Sequence, residues 1–346
     1  MFATIRKVTN LEQKFKNLGN VAKKAKAFTL NDIVRAPGSG TSADLIAHQQ
    51  GVCRLDGKGD FIISGCVKNT SFTSNDRPYF YVIKDFKGSK AVEKNDYYQI
   101  KNEDNPLCTD DVNKDDHRRF THPGGIQVAE NILAVGLEDY KDTEATVNND
   151  RSFLRFYDIS NEYNITEIKT WAWGRVDQET MTASAIGITK STRYGQWILA
   201  IRGKDHLEIL STPQNAAIGG TKFGTIGIFG TGALSTRLKN FQGINLFWSD
   251  DDKLYLIGGP DGGSNDDILF LYELQYTLYP GANYINSITN ARYVDRVHFY
   301  RSGSGPRFEY GVGVYVNQNN QFEVYSIEMH VIDNKIRCNV WNEDAF

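Results

Sequence analysis

The chain has 346 residues, of which 40% are hydrophobic and 12% aromatic, so it can bury one large core or two smaller ones. Its formal net charge of -3 argues against a general nucleic-acid binder, which would carry a basic excess. It contains no apolar run of the roughly 18 residues that a membrane-spanning helix needs. The charge is unevenly divided: residues 1–26 hold seven basic side chains against Glu12, a net +6, which leaves -9 for the remainder.

The first predicted element is an amphipathic helix over residues 9–26. Thr9 and Glu12 have the spacing of a capping box, and lysines lie opposite an apolar stripe. Three roles fit such a basic helix: docking on the acidic body or a neighbouring subunit, contact with an anionic membrane surface or use as an organellar presequence, or binding of a separate protein partner. The stripe consists of Leu11, Phe15, Leu18, Ala22 and Ala25.

The next segment is predicted to be a linker or a closing strand. An apolar stretch over 28–34 precedes the turn-rich sequence Pro37-Gly38-Ser39-Gly40. We therefore divide the chain into residues 1–45, a basic helix with this segment, and a repeat domain over 46–346. Because the N-terminus lacks the continuous apolar core of a secretory signal, the predicted location is cytoplasmic; the alternatives are an organelle, or export without a classical signal peptide.

A repeated segment fills the rest of the chain. Each copy has a polar residue, a small residue, a short strand, a turn and a second apolar strand. The first and second strands are 48–52 with 60–65, 122–126 with 131–136, 182–186 with 197–201, and 240–244 with 254–259. The small residues are Gly51, Gly125, Ala185 and Gly243, spaced by 74, 60 and 58 positions. A fifth copy is predicted to begin near Asp295–Phe299, with 311–316 as its second strand.

These strand-only repeats resemble β-propeller repeat proteins, although the Gly-His and Trp-Asp dipeptides of WD40 repeats are missing. The resemblance implies an all-β propeller, and we predict five four-stranded blades after a short N-terminal amphipathic helix. Six blades follow if residues 27–45 contribute more than one closing strand. Two separately folding halves are the remaining alternative.

The repeat predicts where a functional site lies. The first strand of a blade begins at the face where its antiparallel second strand ends, so polar residues at these positions should meet around one mouth of the central channel. The predicted ligand-binding residues are His48, His122, Arg202 and Asn240. His48 and His122 could also bind a metal, transfer protons or cap a blade. In the competing interpretation, polar repeat residues such as Gln50 and Gln242 only hydrogen-bond the neighbouring blade.

Four acidic residues are the catalytic candidates if the protein is an enzyme: Glu138, Asp139, Asp205 and Asp261. Hydrolases on five-bladed propellers draw acid, base and pKa-tuning carboxylates from separate blades, and the chain resembles that arrangement by fold-level analogy. The alternative is that these loop carboxylates are simply solvated.

No resident cofactor is predicted, with a channel-bound ion such as calcium as the alternative. The segment Asp261–Asp267 has oxygen ligands and glycines suited to calcium but not the spacing of an EF-hand. Asp250–Asp252 is predicted to be a solubilising turn on the opposite face. The four cysteines lack zinc-site spacing, which favours buried free thiols over a disulfide between Cys53 and Cys66.

The first function hypothesis is a non-catalytic module that binds a small polar ligand, such as a glycan, or a protein partner at the channel mouth. The alternatives are a glycan-acting hydrolase or lyase that uses the four carboxylates, and a structural assembly subunit. Walker A, Rossmann, HExxH and GxSxG motifs are missing, which weakens nucleotide-driven, metalloprotease and α/β-hydrolase chemistry.

Overall fold

The computed structural model describes residues 3–22, 26–30, 46–56, 60–68, 77–83, 96–99, 120–139, 152–161, 164–171, 173–175, 183, 185–203, 206–230, 241–260, 267–281, 283–300, 306–328 and 336–341. The elements are β1 (Lys7–Val8), α1 (Leu11–Val21), β2 (Lys26–Leu30), β3 (Ile46–Arg54), β4 (Phe61–Lys68), β5 (Arg77–Ile83), β6 (Asp96–Gln99), β7 (Phe120–Ala129), β8 (Ile132–Asp139), β9 (Ser152–Asp158), β10 (Thr166–Glu167), β11 (Trp173–Arg175), β12 (Ala185–Lys190), β13 (Trp197–Arg202), β14 (His206–Ser211), β15 (Gly224–Gly230), β16 (Phe241–Ser249), β17 (Leu254–Pro260), β18 (Asp267–Leu278), β19 (Ile285–Phe299), β20 (Arg307–Val316), β21 (Phe322–Ile327) and β22 (Ile336–Trp341).

The strands form antiparallel blades whose members follow one another along the chain. Within the described residues, the pairings define five such blades: β3-β4-β5-β6, β7-β8-β9 with β10 and β11 sharing the outer position, β12-β13-β14-β15, β16-β17-β18-β19, and β20-β21-β22-β2. The second and third blades are joined by one parallel pair, Gly125 with Ala185. For the chain as a whole, the number five stays a prediction.

The first strands of the blades surround a common axis. β3 packs against β7, β7 against β12, β12 against β16, β16 against β20, and β20 returns to β3. A Cβ added to Gly51 would lie 3.1 Å from the Gly125 Cα, and one added to Gly125 would lie 3.0 Å from the Gly243 Cα. The predicted β-propeller is therefore the fold, and small residues let its inner strands converge as expected.

The hydrophobic core is divided among the blade interfaces. Five clusters of buried residues in the described part of the chain each join two neighbouring blades. The cluster between the second and third blades holds Trp171, which is fully buried and makes an edge-on contact with Trp197 at 5.7 Å between ring centroids. Each blade is thus stabilised mainly by burial of apolar area against its neighbours.

The last blade corrects one sequence prediction. Residues 295–299 do not open a fifth repeat; they end β19, where Asp295 pairs with Leu271 as part of the fourth blade's outer strand. The inner strand of the last blade is β20, and its outer strand is β2, which pairs with β22 from Lys26–Val340 to Leu30–Ile336. An N-terminal strand therefore closes the ring: among the described residues, the C-terminal sequence supplies the first three strands of that blade and β2 supplies the fourth.

Helix α1 packs on the body. Its apolar residues Leu11, Phe15, Leu18 and Ala22 are at most 3% exposed and join the cluster between the fourth and last blades. The predicted capping box is wrong: Asn10 occupies the N-cap without a side-chain hydrogen bond, and Glu12 instead accepts a hydrogen bond from the Tyr255 hydroxyl at 3.0 Å. Within the described residues, no helix is long and apolar enough to span a bilayer.

The three described cysteines, Cys53, Cys66 and Cys338, are buried thiols that form no disulfide with one another, as predicted. Cys53 pairs with Ile62 and Cys66 with His48 across β3 and β4, so the two cysteines are not opposite each other. Burial raises the pKa of the Cys53 thiol to about 12, which keeps it protonated and unreactive at neutral pH. Cys108 lies outside the described residues.

Candidate functional site

The two faces of the propeller differ in what covers them. We call the face where the inner strands begin the mouth face, and the face where they end the closed face. An N-terminal segment, residues 3–9, runs across the closed face. It bridges to Glu130 through Ala3, pairs in parallel with Trp248 and Ser249 through β1, and contacts Asn320 through Thr9. Among the described residues, this segment covers the closed face.

At the mouth face, the described register pairs residues that open inner strands with residues that close second strands. His48 pairs with Cys66, His122 with Glu138, and Ala185 with Arg202. In each of these pairs, a residue near the start of an inner strand lies opposite a residue near the end of the following strand. Because the inner strands run in parallel around the axis, these pairs form a rim.

The described side chains of this rim differ in exposure. Glu138, on the second blade, is partly exposed, whereas Arg202, on the third blade, is only 9% exposed. The backbone positions of His48, His122 and Asp139 are described, but their side chains are not. Asn240, Asp205 and Asp261 lie outside the described residues, so their roles stay predictions.

The axis below the rim is closed by backbone rather than open as a channel. A Cβ at Gly125 would lie 3.0 Å from the Gly243 Cα, and one at Gly311 would lie 3.0 Å from the Gln50 carbonyl oxygen. Small buried residues, among them Gly51, Gly125 and Gly243, therefore form a floor below the rim.

A buried glutamine holds three inner strands together beneath this floor. The Gln127 Oε1 accepts hydrogen bonds from the Ile188 amide at 2.8 Å and the Leu246 amide at 2.9 Å, and its Nε2 donates to the Leu246 carbonyl at 3.2 Å. The sequence did not single out Gln127, although it lies two positions after the repeat glycine. Its side chain hydrogen-bonds the neighbouring blades. This is the structural role that the competing interpretation predicted for Gln50 and Gln242.

Other polar residues also join blades. Ser64 donates to the Gly124 carbonyl at 3.1 Å, which holds the segment just after His122. Asp267, predicted as part of a calcium segment, is 3% exposed and accepts a hydrogen bond from the Phe308 amide at 2.9 Å. Among the described side chains, no group of three His, Cys, Asp or Glu is placed to hold a metal ion.

The closed face carries a network that sequence reasoning missed. Asp56 accepts hydrogen bonds from the Thr4 amide at 2.7 Å and from the Arg6 guanidinium at 2.8 Å, and it also contacts the Tyr315 hydroxyl. Arg6 further donates to the Val316 carbonyl at 2.9 Å, so one guanidinium joins the first and last blades. Beside this network the N-terminal segment caps a cavity of about 40 Å³ that all five described inner strands line. No sequence motif marks this network, because its members are distant in the chain.

The Asp-rich turn on this face has a more specific role than the predicted one. Asp252 forms ion pairs with Lys7 of the N-terminal segment and with Arg193 of the third blade, at 2.7 Å for the latter. The turn therefore anchors the N-terminal segment as well as ending the β16–β17 hairpin.

The Asp56 network predicts how stability depends on pH. Burial opposes ionisation of Asp56, but the hydrogen bonds from Arg6, Thr4 and Tyr315 outweigh it and lower the pKa of this carboxyl. The stabilisation is therefore complete above the unfolded-state pKa of about 3.9 and is lost as the pH falls through the lower folded-state pKa. We expect Asp56→Asn to lower the melting temperature at pH 7, with a difference from wild type that shrinks below about pH 4.

Thermal melts between about pH 2.5 and 7 test this expectation. Asp250→Asn, which changes an exposed carboxylate on the same face, is the matched control. A difference for Asp56→Asn that is the same at every pH would contradict the assigned ion pairing.

The described strands define an all-β propeller. Among solved structures, the chain is similar to a levansucrase variant of B. megaterium, with a TM-score of 0.52, 11% identity, and coverage of 94% of this chain and 89% of that one. It is also similar to a family 117 glycoside hydrolase of the marine bacterium Zobellia galactanivorans, with a TM-score of 0.46, 8% identity, and coverage of 93% and 92%. At these identities the likeness is one of fold.

A mannose phosphorylase from Leishmania mexicana is similar at a TM-score of 0.42, with 11% identity and coverage of 95% of this chain and 91% of that one. No protein-family model matches the chain. No curated protein matches its sequence.

Proposed function

We propose that the protein is a glycan-acting hydrolase whose site lies at the centre of the mouth face. The observation that carries the proposal is Glu138: a partly exposed carboxylate at the rim, paired in register with His122 and followed directly by Asp139. Glycoside hydrolysis needs two carboxyl groups, one as an acid and one as a base or nucleophile. The repeat predicts that Asp205 and Asp261, which lie outside the described residues, bring carboxylates of two further blades to the same rim.

Three features support the proposal. The N-terminal segment leaves only the mouth face for a ligand, among the residues that the structure describes. The buried Arg202 guanidinium places a positive charge at the same rim, where it can bind polar groups of a sugar or lower the pKa of a neighbouring carboxyl. The likeness to the levansucrase fold over 94% of the chain supports a glycan as the substrate class by analogy.

The test is an activity screen followed by single substitutions. The wild-type chain is incubated with aryl glycosides of the common hexoses and pentoses and with sucrose-type fructosides, and release of the aglycone or of reducing sugar is measured. On any substrate that is turned over, Glu138→Gln, Asp139→Asn, Asp205→Asn and Asp261→Asn are compared. We expect two of the four variants to lower kcat by about 100- to 10,000-fold, because loss of a general acid or base has that effect.

Glu130→Gln is the matched control. Glu130 lies at the other end of β7, on the closed face, where it pairs with Lys190 at 3.3 Å. The Glu130→Gln variant should keep the wild-type kcat. If all four rim variants keep full activity, the site is elsewhere.

The non-catalytic binding module, our first hypothesis from sequence, receives less support than its alternative. It predicts a different result in the same screen: sugars that raise the melting temperature without being cleaved. Binding without turnover across the panel would favour that module and contradict the hydrolase.

A further inference from the structure

The N-terminal segment lies on the closed face as an extended peptide whose backbone is hydrogen-bonded to the propeller at both of its ends. Ala3 exchanges two backbone hydrogen bonds with Glu130, at 2.7 Å each. The Asn320 side chain donates to the Lys7 carbonyl at 2.7 Å and accepts a hydrogen bond from the Thr9 amide at 3.0 Å. Backbone pairing of this kind is a common way in which a protein binds an extended peptide.

The charged side chains of the segment meet charges of opposite sign on the propeller. The Arg6 guanidinium lies 2.8 Å from an Asp56 carboxylate oxygen, and Lys7 forms an ion pair with Asp252. Asp56 belongs to the first blade and Asp252 to the fourth, so the folded ring places two carboxylates where two successive basic residues reach them. Val8, which follows these residues, is fully buried. The surface therefore fits the sequence Arg-Lys-Val by charge and by burial.

Polar contacts hold most of the segment, and little of it belongs to the hydrophobic core. Of its seven residues, Ala3 and Val8 are buried apolar residues, whereas Ile5 is only partly buried. A cavity of about 40 Å³ remains between the segment and the five inner strands. Those strands contact one another in a closed circle, so the surface under the segment is built by the ring itself.

We propose that the closed face is a peptide-binding site that the chain fills with its own N-terminal segment. The ligand class is an extended peptide with two successive basic residues followed by an apolar one. In the intact chain the segment competes at the roughly millimolar effective concentration that a short linker provides. A separate peptide of the same pattern therefore binds only when the segment is weakened or released.

The test uses the full chain with Arg6→Ala and Lys7→Ala together, which weakens the segment, and a synthetic peptide of residues 3–10. The peptide is acetylated at its N-terminus and carries a fluorophore at its C-terminus, and binding is measured by fluorescence anisotropy. We expect a dissociation constant below about 100 µM for the double variant and one at least about tenfold higher for wild type, in which the segment competes. Adding Asp56→Asn and Asp252→Asn to the double variant should weaken binding at least about tenfold.

Two matched controls separate the site from general charge effects. A chain with Lys16→Ala and Arg337→Ala loses two basic side chains away from the closed-face contacts, and it should bind the peptide as weakly as wild type does. A peptide that carries Arg6→Glu and Lys7→Glu should not bind the double variant. Equal binding of the original and the charge-reversed peptide would overturn the proposal.

Thermal melts followed by circular dichroism show whether the double variant folds. A double variant that is unfolded contradicts the proposal, because a ring that builds its own site keeps its fold when the occupant is weakened. So does a folded double variant that binds the peptide no better than wild type. Hydrogen exchange of wild type gives a second readout: amides of residues 3–9 should exchange faster than those of Ile188 and Leu246 beneath them. Equal protection of the two sets would show that the segment opens only when the ring unfolds, which also overturns the proposal.

Discussion

Replacing Arg54 with Ala is expected to lower the free energy of unfolding by about 3–5 kcal/mol. Arg54, on β3 of the first blade, forms an ion pair with Glu323 and contacts the Tyr325 hydroxyl, both on β21 of the last blade. Its guanidinium also lies 5.0 Å from the centre of the Tyr315 ring. The side chains of Arg54 and Glu323 are only 14% and 4% exposed, so the variant leaves a buried carboxylate without its cation.

The position of this pair makes the expected effect large. It joins the first blade to the last, where the ring closes between segments that are far apart in sequence. Chemical denaturation measures the change. Arg337→Ala is the control, because the Arg337 side chain, which pairs with Glu328, is 47% exposed, and ion pairs of solvent-exposed cations contribute about 0–1 kcal/mol. The double variant Arg54→Leu with Glu323→Leu should recover part of the loss, since no buried charge remains. Equal effects of Arg54→Ala and Arg337→Ala would contradict the role of the pair in closure.

Gly125→Ala is expected to destabilise the protein by at least about 3 kcal/mol or to prevent folding. The added Cβ would lie 3.0 Å from the Gly243 Cα and closer still to the Gln242 carbonyl oxygen. Both atoms belong to backbone, which cannot turn away as a flexible side chain can. Inner strands of the second and fourth blades would have to separate, and this would also disturb the hydrogen bonds that Gln127 makes beneath them.

Gly224→Ala is the matched control, because a Cβ there meets no atom within 4 Å. It adds the same methyl group in the same kind of element. Thermal and chemical denaturation of both variants, with circular dichroism to show whether each folds, measure the difference. If Gly125→Ala melts within a few degrees of Gly224→Ala, the inner strands are not packed as tightly as described.

Much of the architecture follows from local sequence. The alternation of apolar strands with turns and the recurrence of Gly51, Gly125 and Gly243 predicted a propeller with small residues at its axis, and the structure agrees. The apolar stripe of α1 predicted a helix that needs a surface to cover it, and that surface is the cluster between two blades. These properties depend on residues that are near each other in the chain, so the local sequence pattern is enough to predict them.

The last blade shows where pattern reasoning stops. Its sequence near Asp295 has the apolar content of a strand, but nothing local tells whether that strand opens a new blade or lengthens the preceding one. The choice depends on β2, which arrives from the N-terminus to supply the missing outer strand. Strand pairing between distant segments is decided by the packing of the complete ring.

The sequence by itself determined an all-β repeat protein and the small residues of its axis, and it predicts a polar rim. Only the tertiary structure decided that the axis is closed by backbone, that residues 3–9 cover one face, and that Arg54 and Asp56 join the ring's ends. The physical reason is separation along the chain. The repeated sequence pattern reflects the interactions within each blade. The ring closes through contacts between residues about 50 to 310 positions apart, and such contacts leave no local pattern in the sequence.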